Sequence, residues 1–285
     1  MTFLEQALTV ATEPAEQADL LELAGISAST AGHHAAAESF LDRALVHRTE
    51  IGDRVAAAGT MTELARSMLT GRQAERVLSM LDAAVPTFED LAPDPAFVGL
   101  EAQHARAAFL RDEHRRSLEI VERVLEASER GDLRAILADA LVTKGSGLAA
   151  IGRIREGMGV IETGERLALA EGRTSTVLRG LNNRLNDLSD FDPRAYRDAV
   201  LDGLALARRV GDRGWMLQFL LLSGFGAYAV GEWDEALDRW QAVLAEDPEP
   251  GDRLVPLFGV ASVRSARGEP VPGAADEIEA IAAEV

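Results

Sequence analysis

A short run of the chain carries Arg179, Asn182, Asn183 and Asn186 at helical spacing. A guanidinium and a row of amides offer directed donors and acceptors, the chemistry that holds an extended peptide backbone or its carboxylate. Asparagine is a poor helix former, so three of them in one helix ask for a reason beyond backbone propensity. The plain reason is solvation, or the settling of a local helix distortion. Residue types that support catalysis are less well arranged. A phosphate-cradling loop needs a glycine-rich turn ending in Gly-Lys-Ser/Thr, and the only lysine stands in Lys144-Gly145-Ser146-Gly147, in the wrong order. The histidines, His33, His34, His47, His104 and His114, form no i, i+3 or i, i+4 pair that would aim two imidazoles at one metal. His33, His34 and His114 are expected in exposed turns, His47 and His104 in packing or groove positions. The carboxylates at Glu119, Glu122 and Glu126, and at Asp234, Glu235 and Asp238, are spaced like the solvated face of an amphipathic helix. Paired acid–base catalysis would need a concave, desolvated setting instead. The absence of cysteine removes disulfides, thiolate metal sites and thiol nucleophiles together. No metal and no cofactor are expected, and the chain is not expected to be an enzyme.

The elements that must position these residues are helices. Of 285 residues 47% are hydrophobic but only 5% aromatic, with alanine and leucine prevailing over the β-branched types that strands prefer. Turn signals recur at Gly52-Asp53-Arg54, Gly131-Asp132, Gly172-Arg173, Gly211-Asp212-Arg213 and Gly251-Asp252-Arg253, with steps of 79, 41, 39 and 40 residues. Pro93-Asp94-Pro95 fills the skipped place. A second series, Gly32, Gly71, Gly152, Gly231 and Gly268, lies between these, so each unit of about 40 residues is two helices. Glycine is expected to close each helix in the left-handed conformation, and the aspartate after it to cap the next.

The sixth unit reads Leu220, Gly224, Ala227, then Gly231-Glu232-Trp233-Asp234-Glu235-Ala236-Leu237, then Trp240, Val243, Leu244 and Pro248. This pattern resembles a tetratricopeptide repeat. In that family small residues such as Gly224 and Ala236 admit the partner helix, a large one such as Trp240 fills the gap, and a proline ends the second helix. The first unit matches with Leu21, Ala24, Gly25, Ala28, Gly32, Ala37, Leu41, Ala44 and Leu45, and the fourth with Leu141, Gly145, Leu148, Gly152, Gly157 and Ile161. Agreement weakens where Ser117 or Arg197 takes the place of the small residue. The period exceeds the usual 34 residues, and this lengthened form is similar to the helical repeat region of large bacterial signal-transduction ATPases, LuxR-type regulators among them; Gly203-Leu-Ala-Leu-Ala-Arg-Arg-Val-Gly-Asp-Arg213 carries that character. The resemblance implies one all-α domain over 1–285, an α-solenoid (right-handed superhelix) of about seven hairpins at 16–51, 53–90, 94–130, 132–171, 173–210, 213–248 and 250–285. Residues 1–13 align with the second helix of a unit, since Phe3-Leu4-Glu5-Gln6-Ala7-Leu8 matches Phe40-Leu41-Asp42-Arg43-Ala44-Leu45. Either this helix is an N-terminal cap or the chain is cut from a longer protein, and the apolar stripe of Phe3, Leu4 and Leu8 favours the second, since a solenoid end needs a polar cap.

In such repeats the first helix of each unit lines the concave surface. One stripe projected across the units selects Glu63 and Arg66, Gln103 and Arg106, Thr143 and Ser146, then Arg179, Asn182, Asn183 and Asn186, then Gln218 and Phe225. The peptide-carboxylate clamps of some tetratricopeptide proteins use lysine as well as asparagine, and this groove has no lysine. The expected role is a binding scaffold for a protein, a peptide or a small effector, as part of a bacterial transcriptional or signalling regulator. Self-association and, less favoured, an enzyme site in the cavity are the alternatives. A net charge of −18 repels phosphate backbones and anionic lipid, so neither nucleic acid nor membrane is an expected partner. The apolar run Trp215 to Gly231 falls short of the roughly 20 residues of a membrane span. Cytoplasm is the expected location.

Overall fold

The computed structural model describes residues 2–188, 192–246, 248 and 250–284, with side chains described at all of these except 2, 5, 186–188, 250, 251 and 284. The described residues form fifteen α-helices and no strand. They are α1 (Thr2–Val10), α2 (Pro14–Thr30), α3 (His34–Glu50), α4 (Arg54–Thr70), α5 (Ala74–Phe88), α6 (Pro95–Leu110), α7 (His114–Arg130), α8 (Arg134–Ala150), α9 (Ile154–Ala170), α10 (Thr174–Leu188), α11 (Pro193–Val210), α12 (Arg213–Ala229), α13 (Trp233–Ala245), α14 (Pro250–Ala266) and α15 (Ala274–Glu284). They fall into two compact units, Met1–Gly180 and Leu181–Val285.

One turn is used over and over. In the first unit the backbone enters the left-handed region at residues 32, 52, 72, 112, 132, 152 and 172, so the elementary piece is a helix plus its turn, twenty residues long. The next amide then donates to the carbonyl five residues back, as His33 to Ala28 at 2.9 Å, Asp53 to Arg48 at 3.0 Å, Leu133 to Ser128 at 2.9 Å and Arg153 to Leu148 at 2.9 Å. This bond satisfies a carbonyl that the helix end would otherwise leave bare. Near residue 92 the turn is replaced by a short 3-10 segment, Glu89–Leu91, and α6 starts on Pro95 with Asp94 accepting from the Ala96 amide at 2.8 Å.

The turn chemistry expected from the glycines is corrected in three places. Gly71 and Gly131 end their helices with ordinary negative φ, −75° and −90°, and the left-handed residue is the next one, Arg72 or Asp132. Asp132 therefore cannot cap α8, whereas Asp53 and Asp212 do cap, accepting from Ala56 and Trp215 amides at 3.0 Å. Gly251 closes no helix: Pro250 and Gly251 are the first residues of α14, where proline's fixed φ suits a helix start.

Within the first unit consecutive helices from α1 to α9 pack together, and the even-numbered ones also meet in series, α2 with α4, α4 with α6 and α6 with α8. The approach of α8 to α9 is set by two glycines: a β-carbon on Gly145 would stand 2.5 Å from the Gly157 carbonyl oxygen, and one on Gly157 would stand 2.4 Å from that of Gly145. In α7 Ser117 fills the small-residue place fully buried, its hydroxyl donating to the Ala105 carbonyl at 2.7 Å. Ser117→Ala is expected to cost about 1 kcal/mol, read from the shift of a urea unfolding midpoint at unchanged slope. His34 is buried against Gly71, not exposed as expected from its turn position, because it is the first residue of α3 and its ring turns inward. His114 is half-buried with its ring 5.5 Å from that of Phe109, which likewise corrects the exposed placement, while His33 is exposed.

In the second unit α11, α12, α13, α14 and α15 pack in sequence, and α12 also touches α14. Trp240 fills the place between α12, α13 and α14: a β-carbon on Gly224 would lie 2.3 Å from its Nε1, and one on Gly259 would lie 2.7 Å from its ring. The indole N–H donates to the Leu221 carbonyl at 3.2 Å, so the ring is buried without leaving a polar atom unsatisfied.

Candidate functional site

Several polar residues of α4, α6 and α8 are buried among apolar neighbours: Thr60, Thr62 and Ser67 on α4, Gln103 and His104 on α6, and Asp139, Thr143 and Ser146 on α8. Asp139 stands in the middle of α8, in a helix whose other buried residues are Ala138, Ala140, Val142, Thr143, Gly145, Ser146, Gly147 and Leu148. Arg179, from the start of α10, donates to its carboxylate at 3.0 Å, to its backbone carbonyl at 2.6 Å and to the Thr143 hydroxyl at 3.1 Å. The Thr176 hydroxyl donates to the same carboxylate at 3.2 Å, and the Gln103 amide nitrogen, from α6, at 3.3 Å. Partners thus come from helices about one repeat away on either side of α8.

Two more guanidinium groups act on this carboxylate, Arg66 of α4 and Arg106 of α6. Burial by itself would raise the Asp139 carboxyl, but Arg179, Arg66, Arg106 and the Thr176 hydroxyl outweigh it and hold it well below the ordinary carboxylate range. Arg66 also has Glu63 one turn away, Nε to Oε2 3.5 Å. Arg106 has less: burial and the like charges of Arg179 and Arg66, opposed only by Asp139, push it down to about 9. Among the described residues no hydrogen bond or ion pair reaches its guanidinium. The Nε of Arg179, the Nε of Arg66 and the Oε1 of Gln103 are buried without a hydrogen-bond partner.

Of the residues singled out from the sequence, Gln103 and Arg179 therefore bond one carboxylate in the first unit, with Thr143 beside them, and Arg66 and Arg106 act on it through their charge. Ser146 turns back on its own helix, its hydroxyl donating to the Val142 carbonyl at 2.9 Å. In the second unit Gln218 donates to Asn182 at 3.1 Å, and Asn182 to Asn183 at 3.3 Å. The side chain of Asn186 lies outside the described residues. Phe225 sets its ring edge-on to Trp240 at 5.2 Å, so it is tied to the packing of its own hairpin. Asp139, the residue on which the first cluster turns, was not singled out from the sequence; a lone carboxylate inside an apolar helix, one repeat from Gln103 and from Arg179, is the signal that points to it.

A second polar cluster lies on the same helix α6. His104 Nε2 is 2.7 Å from Asp82 Oδ1, and Arg116 also reaches Asp82. Burial lowers the His104 imidazole despite the carboxylate, while Arg116 and His104 lower Asp82 against its own desolvation. This ties α5, α6 and α7 to one another.

No known protein-family model matches the chain, and no curated protein matches it in sequence. Solved structures do. A Rap protein complexed with competence and sporulation factor superposes with a TM-score of 0.68 at 12% identity, covering 99% of this chain and 77% of its own. The fold is that of a tetratricopeptide-like α-solenoid. The solenoid is similar also to aspartyl phosphate phosphatase F from Bacillus subtilis, with a TM-score of 0.58, 11% identity and coverage of 94% and 70%. The apo form of RapI gives 0.51 at 13% identity, with coverage of 99% and 78%. No helix of the described residues is long and apolar enough to cross a membrane.

Proposed function

We propose that the chain is a non-catalytic scaffold that takes a protein or peptide segment against the even-numbered helices of its first unit. The observation that carries this reading is the cross-repeat hydrogen-bonded row Gln103, Asp139, Thr143, Thr176 and Arg179. A solenoid needs only apolar side chains to stack its hairpins. Polar groups locked in place by their neighbours lose little freedom when a ligand arrives, which is how a prepared recognition surface behaves. The second unit offers its own amides, Asn182, Asn183 and Gln218, which suit main-chain recognition. The complex in which the Rap protein was solved supports a partner of protein or peptide kind. The place we assign the chain is a bacterial signalling or transcriptional regulator of the cytoplasm, in keeping with the repeat resemblance and with a charge of −18 that disfavours direct nucleic-acid contact.

Selection of a random peptide library on the full chain tests this. Binders are expected, and photo-cross-linking should map them to α4, α6 and α8. Binders that cross-link only to odd-numbered helices would overturn the assignment. Because one structural neighbour is named a phosphatase, acetyl phosphate is the control substrate: no hydrolysis above the buffer rate is expected, and turnover abolished by Asp139→Asn would replace the scaffold with an enzyme.

A further inference from the structure

The geometry points to a separate binding site in the second unit, independent of the face proposed above: the groove between α11 and α13 takes a short peptide with free termini, its amino group on Asp238 and its carboxylate on Arg208.

The groove has a volume of about 530 Å³, within the range of small-ligand sites. Its floor is apolar: Met216 and Leu220 of α12 are half-buried and buried, and Ala242 continues the surface onto α13. Most of the charge around it is already matched. Glu235 accepts from Arg197 at 2.9 Å and from Arg239 at 3.1 Å, and Glu246 is paired with Arg213 at 3.2 Å. Arg208 and Asp238 are the exceptions. Both line the groove and both are exposed, yet among the described residues no hydrogen bond or ion pair reaches either.

Their spacing selects the ligand. Arg197 of α11 meets Glu235 of α13, and eleven residues further along each segment Arg208 and Glu246 line the same groove, so α11 and α13 run in the same direction. Asp238 is three residues past Glu235, which leaves eight residues, about 12 Å of helix, between its level and that of Arg208. The amino group and carboxylate of a single amino acid are too close together to meet both. An extended chain of three residues, at roughly 3.4 Å each, bridges the distance once its two ionic contacts are added. Its central side chain then lies over Met216 and Leu220, which favours an apolar one.

Isothermal titration calorimetry of the full chain with alanyl-leucyl-alanine tests this. Binding is expected, and acetylating the amino terminus or amidating the carboxyl terminus should each weaken it about fivefold, the upper range for a solvent-exposed ion pair. Each loss belongs to its own residue. Asp238→Asn should weaken the free tripeptide about fivefold and make acetylation inconsequential, and Arg208→Gln should do the same for amidation. Both side chains are exposed and unbonded, so neither variant should shift the thermal midpoint of the free protein. Free leucine should bind no better than the tripeptide blocked at both ends. The site is overturned by absence of binding, by an affinity indifferent to either blocking group, by blocking effects that persist unchanged in the variants, or by leucine binding as tightly as the tripeptide.

Discussion

Asp139→Asn is expected to destabilise the first unit by about 3–5 kcal/mol, because it leaves Arg179 buried beside a neutral amide with Arg66 and Arg106 nearby. The larger part of that loss is the stranded charge, not the net worth of the pair. A second substitution that removes the stranded charge should therefore recover most of it. In a double-mutant cycle Asp139→Leu combined with Arg179→Met should come much closer to the original stability than either change alone. Additive losses in the cycle would show that the two residues do not act as a unit. The same pair sets a direction with pH. The folded carboxyl lies below its unfolded value, so its contribution is fully present above the ordinary carboxylate pKa near about 4. It is lost as pH falls from there through the acid range. Unfolding midpoints taken from neutral pH down to about 3 should thus fall less steeply in the double variant than in the original chain.

The other large effect concerns Gly145. Gly145→Ala places its methyl 2.5 Å from a backbone oxygen of α9 and 2.6 Å from Ile161, and neither backbone can yield without separating the two helices. A cost of about 3 kcal/mol, at the upper end for overpacking, is expected. For a unit of this size that lowers the melting temperature by roughly 10 °C. Gly159 sits on the same helix α9 with nothing near its missing β-carbon. Gly159→Ala should stabilise the protein by about 0.5–1 kcal/mol, since a helical alanine loses less chain entropy than glycine. Calorimetry of the two variants side by side checks both; a Gly145→Ala protein that melts where Gly159→Ala does would mean that α8 and α9 stand further apart than described.

How much of this was legible in the sequence depends on whether a residue type has few uses. Glycine between two periodic helices has few, so the hairpin pattern could be read, and so could the fit of Trp240 against Gly224. Aspartate and arginine accept more settings. Arg72 and Asp132 take left-handed positions that a glycine-based reading gives to Gly71 and Gly131, and Asp112 takes one where no glycine stands, because the bond from the following amide back into the helix holds them there. Ser117 read as a departure from the repeat, yet a hydroxyl that donates to a carbonyl is nearly as small as the alanine it replaces. In the candidate site the arginines and Gln103 were visible as a stripe, but their common partner was not. Asp139 meets residues 36 and 40 positions away, and a single acid in an apolar helix has no local pattern to mark it.

The twenty-residue spacing of the left-handed turns carries a consequence for how such a chain can change length. Excising forty residues from the first unit removes one even-numbered and one odd-numbered helix together, and every survivor keeps its place in the alternation. Excising twenty reverses the parity of all that follows: a helix such as α7, with its charged exterior, would be moved into the row that holds Gln103 and Asp139. Growth and loss in this architecture are therefore confined to even steps, although the turns that separate the pieces are alike.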